Sequence, residues 1–341
     1  MGNRHSTHEV SLSLARPADH THDPNMSMKR FRVAEDSMRP ALQPGEEIVA
    51  TDTRRPSVGD LIVFPHPGRD DFWMVKRVAD PPEPIDQEQI WVMSDNADAT
   101  QADSRTLGPI RVRSALAVVD RLDATTFNEA TDLLSSEDTA LAEAIERFGR
   151  PEFWHRQPGL PCLVLLILEQ QVSLESGAAM YRRLDETAEG VAASSIIRIG
   201  IDGMRSIGVT RQKAGYLYSL ALLVANGTLD IESLASLSAD DARSRLVSIK
   251  GIGPWTADAY LLSALLHPDV YPVGDRALQV GVGEVLGMTH TPDEDELELA
   301  SETWRPIRAV AARIVWHAYL SKRGRTEPQD PTLGHEPAGK A

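Results

Sequence analysis

The chain has 341 residues, 42% of them hydrophobic, and 35 lysines and arginines against 50 aspartates and glutamates, a formal net charge of −15. That length can bury substantial cores and favours two domains. The single cysteine, Cys162, excludes a disulfide framework and a four-cysteine iron–sulfur cluster. No apolar run approaches the roughly eighteen residues of a membrane span, so a cytoplasmic chain without membrane association is the default expectation.

Residues 1–27 are polar and His-rich, lack the apolar core of a signal peptide, and read as a disordered leader. From Met28 to Leu122 short apolar runs are broken by Pro, Gly and Asp. Strands are expected at Glu47–Thr51, Asp60–Phe64, Phe72–Lys76 and Gln89–Met93, with turns at Pro44-Gly45, Gly59-Asp60 and Pro67-Gly68. Three segments of this mostly β domain could carry chemistry: Glu35–Leu42, Met74–Val78, and Ser94-Asp95-Asn96 with Asp103–Pro109. A serine alone is a poor nucleophile. A lysine buried among Trp73, Met74, Val75 and Val78 would lose the hydration of its ammonium and could take the serine proton.

Any one Ser–Lys pair is uninformative, because both residues are common; three such boxes in order are not. Together they resemble the signal-peptidase-like (S24/S26) serine proteases, whose catalytic core is shared with self-cleaving SOS repressors. The likeness is greatest to members that process a nickel superoxide dismutase precursor. The resemblance implies Ser37 as nucleophile and Lys76 as general base, with Asp95, Asn96, Asp103, Ser104 and Arg105 supporting the site. Classical signal peptidases are membrane-anchored and no anchor is seen here, which leaves a cytosolic substrate, self-cleavage or a vestigial domain open.

Residues 123–137 mix Asp, Thr, Ser and Glu with little periodicity and read as a linker. Helical patterns then take over from Asp138 to Phe148 and from Leu163 to Met180, where Ser173 is a candidate cap after Glu169-Gln-Gln-Val. A further helix begins after Thr210 and stops at Asn226-Gly227. Ser238 with Asp241 suggests a capping box. The string Leu246–Asp258, Leu-Val-Ser-Ile-Lys-Gly-Ile-Gly-Pro-Trp-Thr-Ala-Asp, reads as helix, tight hairpin, helix, with Pro254 suited to a first turn. Such a hairpin offers main-chain N–H groups at the positive end of a helix, a site for phosphate that needs no lysine. Asp275 follows in Tyr-Pro-Val-Gly-Asp, and Ala300–Lys322 closes the domain. Residues 326–341 read as a disordered tail.

Taken alone, Gly-Ile-Gly-Pro is as easily an ordinary helix–helix turn. The whole string, with the Gln-Gln-Val-Ser segment, Ile207–Ala214 and Trp304-Arg-Pro-Ile-Arg308, resembles the helix-hairpin-helix DNA glycosylases of the 3-methyladenine (alkylated-base) branch over residues 140–325. The resemblance implies an all-α domain at 138–325 behind the β domain at 28–122. It implies excision of a flipped alkylated purine from damaged duplex DNA, Asp275 as catalytic carboxylate, and a lesion pocket of Trp255, Gln171, Tyr181 and Tyr216. It implies backbone contacts from Gly251, Gly253, Thr256, Lys250 and Arg276, no required cofactor, and possible alkali-ion binding by the main-chain carbonyls of Val247, Ile249 and Ile252. Lyase-competent relatives carry a Schiff-base lysine where this chain has Trp255, so a monofunctional enzyme leaving an abasic site is expected, acting as a monomer.

Two readings stay open at this point for each key residue. Asp275 could simply cap the helix 276–285, Trp255 could be core, and Gln171 could be a capping amide. The mean charge runs against nucleic acid, yet Arg205, Arg211, Lys213, Arg243, Arg245, Lys250 and Arg276 cluster along the helical half near the hairpin. A second function class, a processing endopeptidase whose helical half only binds DNA or serves as scaffold, therefore also stands.

Overall fold

The computed structural model describes residues 15–17, 27–70, 72–100, 102–326 and 330–332. The chain divides into two compact units, Met1–Glu137 and Asp138–Ala341.

The first unit is built on one antiparallel sheet of β1 (Ala15–Pro17), β2 (Met28–Val33), β3 (Glu47–Thr51), β4 (Leu61–Pro65), β5 (Trp73–Ala79), β6 (Gln89–Met93), β7 (Ile110–Arg111) and β8 (Leu116–Val118). The strand order is β1-β2-β3-β8-β4-β5-β6-β7, and β1 also pairs with β5, so the sheet closes on itself. The expected strands are present within a few residues of their sequence bounds. The six-residue β2 and the short β7 and β8 escaped notice because one to three apolar residues carry no readable period. Side chains alternate across the sheet. One face buries Phe31, Val33, Ile48, Ala50, Val63, Val75 and Leu116, and the other Ile62, Phe64, Met74, Val78, Ile90 and Val92.

Two sequence expectations change here. Of the leader, Ala15–Pro17 forms β1, paired with Phe31–Val33; residues 1–14 and 18–26 lie outside the described residues, as does most of the tail expected at 326–341. The stretch 123–137 is no linker but a helix, α2 (Ala124–Glu137), which follows the single-turn α1 (Ser104–Leu107). Thr126, Phe127, Ala130, Leu133 and Leu134 make a buried stripe on α2 that the Ser/Thr/Glu content masks. Glu137 reaches the buried Arg30 of β2 at 2.7 Å, and Glu129 accepts from Thr51 of β3 at 2.7 Å.

The second unit is all helical: α3 (Thr139–Phe148), α4 (Leu160–Glu169), α5 (Leu174–Ala188), α6 (Ala193–Ser206), α7 (Arg211–Ala225), α8 (Ala239–Val247), α9 (Pro254–Ser263), α10 (Arg276–Val285), α11 (Glu294–Ser301) and α12 (Arg308–Lys322). Nearly every residue of α4 is buried, Glu169 included, which makes it the central helix. Its one carboxylate is neutralised by Arg156 through two bonds of 2.9 and 3.0 Å. Side-chain caps open several of the others, at Ser173, Thr210 and Ser238 as the sequence suggests. Asp138 accepts from Ala140 and Leu141, Ser173 from Ser176, Thr210 from Lys213 and Ser238 from Asp241. Asp138 also takes the indole N–H of the buried Trp304 at 2.7 Å, fixing α3 to the turn before α12. Helices α10 and α12 approach closely because Gly281 has no side chain; a Cβ there would fall 2.6 Å from Val315 Cγ1.

If α2 is part of the first unit, Phe127→Ala leaves a cavity and costs about 3–5 kcal/mol of that unit's stability. Urea unfolding measures it, and a loss below about 1 kcal/mol would return the segment to linker status.

Candidate functional sites

In the helical unit the hairpin between α8 and α9 is held from behind. Gly251 has φ +97°, a left-handed value that favours glycine, and a Cβ there would lie 2.3 Å from Tyr216 Cγ. Gln170 Nε2 donates to Gly251 O and to Thr256 Oγ1, both at 2.9 Å. Pro254 opens α9, and the first intrahelical amide is Ala257 N, bonded to Gly253 O. The preceding N–H groups of that first turn have no helical partner. Gly253, in contrast to Gly251, has an ordinary φ of −89° and nothing within 4 Å of a Cβ placed on it.

Asp275 is the N-cap of α10. Its Oδ1 accepts from Leu278 N at 2.8 Å and from Trp316 Nε1 of α12 at 3.1 Å, and its Oδ2 accepts from Trp255 Nε1 of α9 at 2.9 Å. Cap and candidate catalyst are thus the same group, and the two readings of the sequence coexist. A carboxylate has about four acceptor positions; three are filled, and the half-exposed Asp275 keeps room for one more partner.

The other expected site residues stand in varied surroundings. Trp255 is tied by its ring N–H to Asp275. Tyr216 packs against Gly251, with its hydroxyl taking Gln212 at 2.7 Å, so it shapes the hairpin. Tyr181 is buried, and burial pushes its phenol up. Gln171 is exposed with φ +57°, whereas its neighbour Gln170 makes the hairpin contacts. Thr256 is 1% exposed and its hydroxyl is bonded to Gln170, which leaves only its main-chain N–H for a phosphate. Of the basic cluster, Lys213 caps the end of α4 through Leu168 O and Gln170 O at 2.7 and 2.8 Å. Arg243 pairs with the buried Asp258 at 2.6 Å, and Arg276 reaches Gln279 at 3.1 Å. Lys250 and Arg211 are exposed. Sequence reasoning missed Gln170 and the role of Trp316, whose 41-residue separation from Asp275 leaves no local signal.

In the sheet unit, Lys76 of β5 is fully buried between Met74 and Val78 on its face, and its Nζ donates to the buried Ser37 Oγ at 2.8 Å. Ser37 lies in a single helical turn after β2. Burial pushes the Lys76 ammonium down to about 8, against the opposing pull of the Asp103, Glu35 and Asp95 carboxylates. Each expected support residue has hydrogen-bond partners. Asp95 is bound by Arg77 at 2.8 and 2.6 Å. Asn96 N donates to Ser37 O at 2.9 Å, and its side chain donates to Asp36 O at 3.2 Å. Ser104 Oγ accepts from Val92 N at 2.8 Å. Burial would raise the Asp103 carboxyl, but bonds from the Arg105 side chain and from the Ser94 and Arg105 amides outweigh it and hold the group below its usual range. Ser94 was noted without a role; one residue beyond the Arg77–Met93 pair it stands across from Lys76, its buried hydroxyl without a hydrogen-bond partner among the described residues.

Two family descriptions match the chain. Residues 164–306 match "HhH-GPD superfamily base excision DNA repair protein", and residues 25–83 match "Signal peptidase, peptidase S26". The chain is 31% identical to a DNA-3-methyladenine glycosylase of Bacillus subtilis, over 36% of this chain and 40% of that one. It is 26% identical to DNA-3-methyladenine glycosylase 1 of Schizosaccharomyces pombe, over 45% and 69%. It spans about half the length of the curated relatives it matches, 58% of one Bacillus subtilis protein and 40% of another. Among solved structures, the 3-methyladenine DNA glycosylase of Schizosaccharomyces pombe in complex with abasic DNA superposes with a TM-score of 0.52 at 24% identity, covering 55% of this chain and 95% of that one. A β-sheet unit is therefore followed by a helical unit whose fold is that of the Schizosaccharomyces pombe glycosylase structure, and residues 164–306 within it match the HhH-GPD description.

Proposed function

We propose that the helical unit is a monofunctional DNA glycosylase that removes alkylated purines of the 3-methyladenine type and leaves an abasic site. The observation that carries this is the Asp275 carboxylate fixed beside the glycine hairpin by the indole of Trp255. A base inside a duplex is out of reach and must be extruded. Alkylation at a ring nitrogen makes it a cationic leaving group, and the sugar it leaves gathers positive charge. A preorganised carboxylate stabilises that charge without reorganising at the moment of reaction. The first-turn amides of α9 grip the backbone phosphate. Trp255, in place of a lysine, offers no amine for a Schiff base. Trp255, Tyr181, Tyr216 and Gln171 are kept as the lesion-pocket proposal in a narrower form, with Trp255 nearest the chemistry. An alkali-metal ion on the carbonyls of Val247, Ile249 and Ile252 belongs to the same reading. Ile249 O already accepts from Ile252 N at 3.0 Å, and its second lone pair would serve the ion.

The Ser37–Lys76 contact favours a second activity, serine-type endopeptidase, in the sheet unit. Neutral Lys76 takes the Ser37 proton as the hydroxyl attacks a peptide carbonyl, and returns it to the leaving amine. Self-cleavage in the expected linker is withdrawn, because α2 is a packed helix rather than an extended substrate.

Three outcomes are expected. On duplex DNA carrying a single 3-methyladenine or hypoxanthine, Asp275→Asn lowers excision at least about 100-fold while DNA binding persists, and Ser37→Ala leaves excision unchanged. Near-normal excision by Asp275→Asn would overturn the assignment. Next, Gly251→Ala forces a left-handed alanine onto Tyr216 and costs about 2–4 kcal/mol in urea unfolding. Gly253→Ala unfolds like the parent but binds DNA more weakly, because its added methyl stands where a strand would approach. Equal DNA affinity for Gly253→Ala and the parent would remove the hairpin from the interface. Last, peptidase turnover requires neutral Lys76, so it rises with pH to a half-maximum near about 8 and levels off above it. A flat profile between about pH 6 and 9, or turnover that survives in Ser37→Ala, would overturn the dyad.

A further inference from the structure

Beyond α12 the described residues return to the seam between α4 and α5. Arg325 acts on the Glu175 carboxylate in the first turn of α5. Further on, the Asp330 carboxylate acts on four groups at once. They are the Arg156 guanidinium ahead of α4, the Cys162 thiol and Glu169 carboxylate of α4, and the Tyr181 phenol of α5. Asp330, Pro331 and Thr332 are each half-buried. Asp330 Oδ1 closes a local turn, accepting from Thr332 N at 2.9 Å and from Thr332 Oγ1 at 2.8 Å. Its Oδ2 is buried and has no hydrogen-bond partner among the described residues.

The segment is seated closely enough to bury an oxygen, yet its hold is incomplete. Arg156 already commits both of its Nη atoms to Glu169, at 2.9 and 3.0 Å. A second carboxylate beside that pair brings surplus negative charge, and a buried acceptor without a donor is costly. Burial pushes the Tyr181 phenol up and the Cys162 thiol up to about 12, so both stay neutral, and neither supplies Oδ2 with a hydrogen bond.

We propose that residues 330–332 form a strap across the α4–α5 seam, covering in cis the Tyr181 side of the lesion pocket and displaced when a flipped nucleotide enters. Being tethered, the strap rebinds at a high effective concentration once the pocket empties. The unpaired oxygen and the surplus charge keep it from binding too well to leave. Its place over the pocket rests on the glycosylase reading; its seat on α4 and α5 does not.

Cys162 is the chain's single cysteine, fully buried, and it reports on the seat without catalysis. Its alkylation by iodoacetamide under native conditions is followed by intact mass in the full chain, in Asp330→Asn and in a chain ending at Thr326. Loss of the strap opens the seam and raises the labelling rate at least about tenfold. Asp330→Asn keeps the acceptor for Thr332, puts a donor in place of the unpaired oxygen and removes the surplus charge. It therefore labels at least about threefold more slowly than the parent. Urea unfolding of each protein separates local opening from global unfolding. Equal labelling in all three, or a faster rate that lost global stability accounts for in full, overturns the strap. Excision of 3-methyladenine from duplex DNA is assayed separately. The chain ending at Thr326 reaches its half-maximal rate at a lower DNA concentration than the parent, and Asp330→Asn at a higher one. Excision indifferent to both changes refutes the cover over the pocket and keeps the seat. No excision by any of the three, with labelling ordered as expected, refutes the glycosylase and keeps the strap.

Discussion

Three helices meet on one negative charge. The Asp275 carboxylate takes an amide from α10, an indole N–H from α9 and another from α12. A charge partly withdrawn from water is costly unless donors replace the solvent, and here each donor sits on a separate helix whose position the fold already fixes. The carboxylate therefore cannot drift without disturbing the cap of α10. Through Trp255 the same bonds set its distance from Gly253, the start of the hairpin's exposed amides. The hairpin is braced from the other side by Gln170 and by the ring of Tyr216 beneath Gly251. What the site can do with a nucleotide depends on this bracing, because electrostatic stabilisation works only when the charge is in place before the reaction needs it.

The sheet unit meets the opposite requirement by the opposite means. On the proposed readings, a glycosylase carboxylate works charged with donors around it, whereas a lysine acting as base works neutral among apolar side chains. Lys76 stands among Met74, Val78, Ile62 and Val92, and the carboxylates that would hold it protonated are engaged elsewhere. Asp95 is bound twice by Arg77, and Asp103 is bound by Arg105 and two amides. Burial outweighs the pull of Asp103, Glu35 and Asp95 on Lys76.

The parts legible in the sequence were those with local signals. Strands with four or five apolar residues, N-caps at Thr210, Ser238 and Asp275, and the hairpin were all readable, since each depends on neighbours along the chain. Ser37 and Lys76 were also readable, since the hydrophobic residues flanking Lys76 announce its burial. What was hidden depends on distance or on composition. The stripe on α2 was masked by its serines and threonines, two of which, Thr126 and Thr131, are themselves buried. Trp316 and Gln170 act on residues 41 and 81 positions away, and nothing near them in the sequence marks the partner. That Gln170 rather than its neighbour Gln171 braces the hairpin was hidden for a related reason. Adjacent residues at the end of a helix point in different directions, and only packing decides which one turns inward.

The two hairpin glycines separate constraints that act from inside the molecule from those that act from outside. Gly251 is required by the folded chain itself, through its backbone angle and the ring against it. Gly253 is required by neither, and its side-chain position opens on empty space. A residue kept small where nothing in the protein crowds it leaves room for something else. The charges nearby narrow what that is. Lys213, Arg243 and Arg276 all have internal partners, and the chain as a whole carries −15. On the proposed DNA-binding reading, that leaves the exposed Lys250 and Arg211, together with main-chain amides, to meet a phosphate backbone. Main-chain amides at the start of a helix bring partial positive charge with no side chain at all. On the proposed reading they join those two cations in holding a phosphate, reached through the open space at Gly253.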